Sequence, residues 1–175
     1  MKGKYMLMMN PASYRLDKVS TDYKKIEWSD VSAALGMGSL DEFSYHLGRL
    51  IFCDDTTSKK IIITLSIQHL INISKKNNWR TNIKIFTRLS ELACFEIVYS
   101  TPCKYCHDQP INIAECSNCH GSGYIGLKNC SKYKYASIEK RNWNRRWKKR
   151  YEELYKKFLE SEQKLNSHIQ YHFMT

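Results

Sequence analysis

Apolar residues recur along this chain at helical steps and almost nowhere alternate as a half-buried strand would. Ser39-Leu40-Asp41-Glu42 reads as a capping box, and it opens a helix whose Phe43, Leu47, Leu50 and Ile51 share one face. Before it, Ser29 or Asp30 is placed to cap a short helix that stops at Gly36-Met37-Gly38. A turn is expected over Asp54 to Ser58. The isoleucine-rich run from Ile61 to Ile73 has strand propensity, but its length and its Thr/Ser start favour a buried helix. After Lys75-Lys76-Asn77-Asn78, the residues Trp79, Ile83, Phe86, Leu89, Ala93 and Ile97 again fall on one helical face, and the pattern ends near Ser100. Stripes of this kind build core. Residues 1–28 show no period and are expected to form a flexible arm.

The C-terminal third is helical as well, with a different character. A short helix is expected from about Cys130 to Ile138, then a polar break over Lys140 to Asn142. A long helix follows, with Trp147, Tyr151, Leu154, Tyr155, Phe158, Leu165 and Ile169 as its apolar stripe. Glu152 with Lys156, Glu153 with Lys157 and Glu160 with Lys164 are favourable i,i+4 pairs.

Between the two helical regions the periodicity stops at Thr101-Pro102, and cysteines take over. Cys103-Lys104-Tyr105-Cys106 is followed by nine residues and then Cys116-Ser117-Asn118-Cys119. Each Cys-x-x-Cys loop turns two thiolates onto one point, and two loops complete a tetrahedron. Gly121 and Gly123 let the backbone turn tightly behind the second pair. The compartment decides between metal and disulfide. Lys2 and Lys4 precede an apolar stretch, Tyr5 to Met9, too short for an export signal, and no segment has the length of a membrane span. A cytoplasmic, reducing location is therefore expected, where four of the seven cysteines in paired spacing read as zinc ligands. A full thiolate set leaves no open position, so the single Zn2+ is read as structural and not catalytic. His107 and His120 flank the pairs as substitute ligands or outer hydrogen-bond donors. Cys53 and Cys94, in apolar helical context, are read as core thiols.

Charge adds a partner class. The 175 residues carry 28 Lys and Arg against 17 Asp and Glu, for a net charge of +11. Ten of the cations (Lys128, Lys132, Lys134, Lys140, Arg141, Arg145, Arg146, Lys148, Lys149 and Arg150) fall between residues 128 and 150 beside one acid, Glu139, and give that segment +9. A field focused in this way suits phosphates, since each one neutralised releases condensed counterions. The outline from Cys130 to Phe158 is that of a helix-turn-helix whose second helix begins near Asn144. Its first turns carry the candidate DNA contacts Asn142, Asn144, Arg145, Arg146, Lys148 and Lys149. In that motif such turns enter the major groove, where Arg bonds guanine and Asn bonds adenine, while Lys mostly meets phosphate. The contrasting reading is a charged, solvated helix face.

These residues together resemble a known family, the lambda-type antitermination protein Q of lambdoid phages. The resemblance begins at Ser29-Asp30-Val31-Ser32-Ala33-Ala34-Leu35-Gly36-Met37-Gly38 and continues through Phe52-Cys53. It resumes at Thr101-Pro102 with the two cysteine pairs and Cys119-His120-Gly121-Ser122-Gly123-Tyr124, then at Trp147, Leu154-Tyr155 and the long helix. It implies a factor that binds double-stranded DNA at a late promoter and engages paused bacterial RNA polymerase through the flap and the sigma factor. Such a factor then suppresses termination, in the cytoplasm of the bacterial host. By position the resemblance makes Cys103, Cys106, Cys116 and Cys119 the metal ligands and starts the recognition helix near Asn144. The cysteine loop is shorter, and the basic segment more compressed and more basic, than in the lambda protein.

The fold class expected is mainly α: a helical body with an inserted four-cysteine zinc module and a C-terminal helix-turn-helix ending in a long helix. The segments are the arm (1–28), the body (29–100), the zinc module (101–127) and the basic helix-turn-helix with its long helix (128–175). Residues 29–175 are expected to form one compact unit. The function expected is sequence-specific DNA binding with transcription antitermination; the alternative is a zinc-stabilised RNA-binding protein. No membrane and no small-molecule substrate is expected as a partner. An enzyme is disfavoured, since the chain lacks His-Glu-x-x-His, a P-loop and a compact carboxylate cluster.

Overall fold

The computed structural model describes residues 28–107, 116, 117, 119 and 124–174. The arm expected before residue 28 lies outside them. The described residues are mainly helical. In chain order they form α1 (Trp28–Gly36), α2 (Glu42–Cys53), α3 (Thr56–Lys76), α4 (Ile83–Tyr99), β1 (Thr101–Pro102), α5 (Lys104–His107), β2 (Tyr124–Ile125), α6 (Asn129–Tyr135) and α7 (Lys140–Asn142). A π turn, Trp143–Trp147, carries α7 without a break into α8 (Lys148–Met174).

Local chemistry sets the helix ends, in places one turn away from where the pattern alone puts them. Asp41, not Ser39, caps α2: its Oδ1 accepts from the Ser44 amide at 3.0 Å. The expected turn over Asp54 to Ser58 shrinks to two residues. Asp54 closes α2 in the left-handed region (φ 52°), and Asp55 caps α3 by accepting from the Thr57 amide at 2.9 Å. Asn78 (φ 54°) terminates α3, where the Trp79 amide bonds the Ser74 carbonyl at 2.8 Å. The following helix starts only at Ile83, capped by Asn82, so Trp79 stands in the loop and Ile83 is exposed rather than core.

The long α8 is the spine of the molecule and packs against α1, α2, α3 and α4. Its Tyr151, Leu154, Phe158, Leu165 and Ile169 meet Leu47, Leu50, Phe86, Leu89 and Ile97 in one core, with Phe43 edge-on to Phe158 at 5.0 Å. On α3 one face alone is fully buried, the row Ser58, Ile62, Ser66, Leu70 and Ser74, so the helix is not enclosed on all sides. Small serines in that row let α3 lie close to α2 and α4. The ion pairs on α8 differ from those expected: Lys148 meets Glu152 (3.8 Å), Lys156 meets Glu160 (3.9 Å), and Lys164 reaches across to Asp41 (3.1 Å). Lys157 instead lies over the Phe43 ring.

A tight approach at Gly48 locks this packing. A Cβ there would stand 2.6 Å from Leu35 Cδ2 and 2.9 Å from Leu165 Cδ1, so α1, α2 and α8 converge on a residue with no side chain. Gly48→Val should therefore cost about 1–3 kcal/mol of stability by overpacking, read as a lower urea midpoint. No helix among the described residues is long and apolar enough to cross a membrane.

Candidate metal centre and basic helix

The cysteine module grows from a two-stranded neck. Helix α4 ends at Tyr99, and β1 pairs antiparallel with β2, Thr101 opposite Ile125 and Pro102 opposite Tyr124. Immediately beyond β1 lies Cys103, followed by the one-turn α5. Cys103, Cys116 and Cys119 are all buried, and their sulfurs lie within 4.8 Å of one another. Cys103 and Cys116 Sγ are 3.9 Å apart, nearly twice an S–S bond length. Two thiolates on a tetrahedral zinc, each at about 2.3 Å, stand about 3.8 Å apart, so the spacing fits a shared metal. Three of the four expected ligands are thus brought together, placed to hold one metal ion. Cys106 lies in α5, but its side chain is outside the described residues. So are the side chain of His107 and all of His120, Gly121 and Gly123.

The remaining thiols separate by environment. Cys94 is buried in the core, and burial pushes its thiol up to about 11. Cys53 is exposed, against the core position expected for it, as is Cys130. An aromatic disulfide reagent at neutral pH should label Cys53 and Cys130 in the native protein and spare Cys94 until unfolding.

A buried carboxylate ties the module to the rest of the chain. Glu96 sits on the core face of α4, only 2% exposed. Its Oε1 is 2.8 Å from Lys132 Nζ on α6 and accepts the Leu127 amide at 2.9 Å. Its Oε2 accepts the Tyr151 hydroxyl of α8. Burial, together with the Glu96 charge, holds the Tyr151 hydroxyl well above its ordinary range, so it stays protonated and donates. Gly126 is required at this junction. A Cβ on it would come within 2.2 Å of Glu96 Oε1, where no atom fits. The exit of the cysteine module, the first basic helix and the long helix therefore meet on one carboxylate. Glu96 does not stand out by motif; an acid in step with Leu89, Leu92 and Ala93 on the apolar face was the available signal.

The basic segment differs from its expected form. The polar break over Lys140 to Asn142 does not exist: these residues are helical, and the break lies at Ala136 to Glu139. Ser137 takes φ 52° there, and the Ile138 amide closes the turn on the Tyr133 carbonyl at 2.9 Å. The second helix accordingly begins at Lys140 and not near Asn144. The π turn follows from Lys148 donating its amide to Trp143 five residues back. It holds Trp143 in the core and Trp147 half-buried.

Two of the ten cations are consumed by the fold. Lys132 serves Glu96 and lies over the Tyr151 and Tyr155 rings. Arg150, 8% exposed, lies over both Trp79 (4.9 Å) and Trp147 (4.6 Å), with Nη1 donating to the Arg80 carbonyl at 2.9 Å. Lys128, Lys134, Lys140, Arg141, Arg145, Arg146 and Lys149 are exposed, and Lys148 is half-exposed. Among the candidate DNA contacts, Asn144, Arg145, Arg146 and Lys149 face solvent. Lys148 is shared with Glu152, and half-buried Asn142 donates to Glu139 at 3.2 Å.

Comparison of the chain with protein-family models, with curated proteins and with solved structures finds no match.

Proposed function

We propose that the chain is a sequence-specific DNA-binding factor of phage or prophage origin that loads onto promoter-proximal RNA polymerase and lets it read through terminators. The observation that carries the DNA half is the run of exposed Lys140, Arg141, Asn144, Arg145, Arg146 and Lys149 over the first turns of a long helix. The buried Trp143, Tyr151 and Arg150 hold the opposite side of those turns against the body. A cationic helix start fixed from behind is suited to the major groove, with α6 and the Ser137 turn serving as the other arm of a helix-turn-helix. Arg145, Arg146 and Asn144 are the base-reading candidates, and Lys148 and Lys149 the phosphate contacts.

The polymerase half rests on the resemblance to the lambda-type antitermination protein Q, which assigns contacts to the flap and the sigma factor. In this reading one structural zinc, held by Cys103, Cys106, Cys116 and Cys119, braces the module, and the chain catalyses nothing. Arg145→Ala and Arg146→Ala should each cost about 1–3 kcal/mol at the specific site. Lys148→Ala and Lys149→Ala should weaken binding to every duplex and lower its salt dependence. Quantitative footprinting and titration at matched salt measure both. Transcription in vitro from the cognate late promoter across a terminator, with and without the protein, tests the whole proposal. Unchanged DNA affinity in all four variants, or no added read-through, overturns it.

A further inference from the structure

Among the described residues, three exposed aromatic side chains stand together on a face that neither the three clustered cysteines nor the long helix covers. Phe95 and Tyr99 of α4 lie 4.8 Å apart between ring centres, and Tyr135 at the end of α6 stacks on Phe95 at 5.9 Å with the planes 28° apart. Their exposures, 39%, 61% and 46%, are high for rings already in contact with one another. Cations border them. Lys84, Arg88, Phe95 and Tyr99 succeed one another along one side of α4 at helical spacing. Arg88 Nη1 lies 3.4 Å from the Ala136 carbonyl, beside Tyr135, and exposed Lys134 adjoins Tyr135 on α6. Glu91 is the acid on the same side of α4.

We propose that this face binds single-stranded RNA, with unpaired bases stacking on Phe95, Tyr99 and Tyr135 and phosphates running toward Arg88, Lys84 and Lys134. Flat rings beside cationic side chains are what a strand of unpaired bases requires: every base has a stacking face, and the backbone follows the positive charge. Duplex bases are already stacked on each other and gain nothing here. Two of the three rings carry hydroxyls, which can bond a 2′-OH, and this selects RNA over a DNA strand of the same length. From Lys84 to Tyr99 the helix spans about 22 Å at 1.5 Å per residue, room for a few nucleotides. The site is separate from the DNA-reading helix start proposed above and does not depend on it.

The test uses the full chain and three labelled probes at matched salt: a twelve-nucleotide oligouridylate, the corresponding deoxy strand and a twelve-base-pair duplex, followed by fluorescence anisotropy. The RNA should bind better than the deoxy strand. Tyr99→Ala and Tyr135→Ala should each weaken RNA binding on the order of tenfold, and Tyr99→Ala, outside the helix-turn-helix, should leave duplex affinity unchanged. Tyr99→Phe should keep most of the RNA affinity and narrow the RNA-to-DNA difference. Glu91→Gln should strengthen binding. Tyr99 is the most exposed of the three rings, so its variants should keep the wild-type urea midpoint and test binding without a folding defect. RNA affinity unchanged in Tyr99→Ala overturns the site, and equal binding of the RNA and deoxy strands overturns the assignment to RNA.

Discussion

Glu96→Ala should lower the unfolding free energy by about 3–5 kcal/mol, the typical cost of leaving one member of a buried ion pair alone. Lys132 would lose its carboxylate at a site 15% exposed, beside the Tyr151 and Tyr155 ring faces. The Leu127 amide and the Tyr151 hydroxyl would lose their acceptor at the same time. Tyr151→Phe, which removes one neutral donor to a charged acceptor, should cost less, about 1.5–3 kcal/mol. Combining Glu96→Leu with Lys132→Met should recover the share of the loss due to the stranded lysine charge, while the Leu127 amide and the Tyr151 hydroxyl still lack their acceptor. Urea unfolding of the single and double variants measures all three. A Glu96→Ala cost below about 1 kcal/mol would mean that water reaches the carboxylate and the network contributes little.

Removing the metal should be the second large effect. Protein purified without added zinc should carry one equivalent by mass spectrometry. Stripping it with a strong chelator should lower the melting temperature by about 10 °C, corresponding to a few kcal/mol for a chain of this size. Cys116→Ser should do the same without a chelator, since it takes away one of the three clustered thiols. The loss should be local at first. Among the described residues, the core of α1 to α4 and α8 is a cluster separate from the three cysteines, so helical circular dichroism should survive near room temperature. Proteolysis should then appear between β1 and β2. Metal-free protein with an unchanged midpoint would sink the structural-zinc reading.

The parts of the molecule that were legible beforehand share one property: each depends on residues close together in sequence. Helices α2, α3, α4 and α8 announce themselves because side chains three and four apart share a face. The cysteine pairs are legible because a Cys-x-x-Cys loop closes on itself. What escaped was long-range. Trp79 falls in step with α4, yet the chain turns at Asn78 and the indole meets Arg150, far along the sequence, instead of entering the helix. The polar run Lys140 to Asn142 looks like a break, but helix formation there is settled by Trp143 entering the core behind it. Charge counting could not reveal that Lys132 and Arg150 are spent inside the fold. The resemblance implies four cysteine ligands, three of which lie together among the described residues, and it places the second basic helix a turn late.

The carboxylate that joins four segments also orders events in time. Glu96 meets Leu127, Lys132 and Tyr151, which lie 31, 36 and 55 residues further along the chain. Closing loops of that length is slow compared with forming α2, α3 and α4, whose contacts are mostly between neighbours in sequence. The network is therefore expected to form after α2, α3 and α4. Mutations in it should raise the unfolding rate while leaving the folding rate nearly untouched, a low φ-value in a chevron analysis. The residence time of the folded state, more than its formation, is what Glu96 governs.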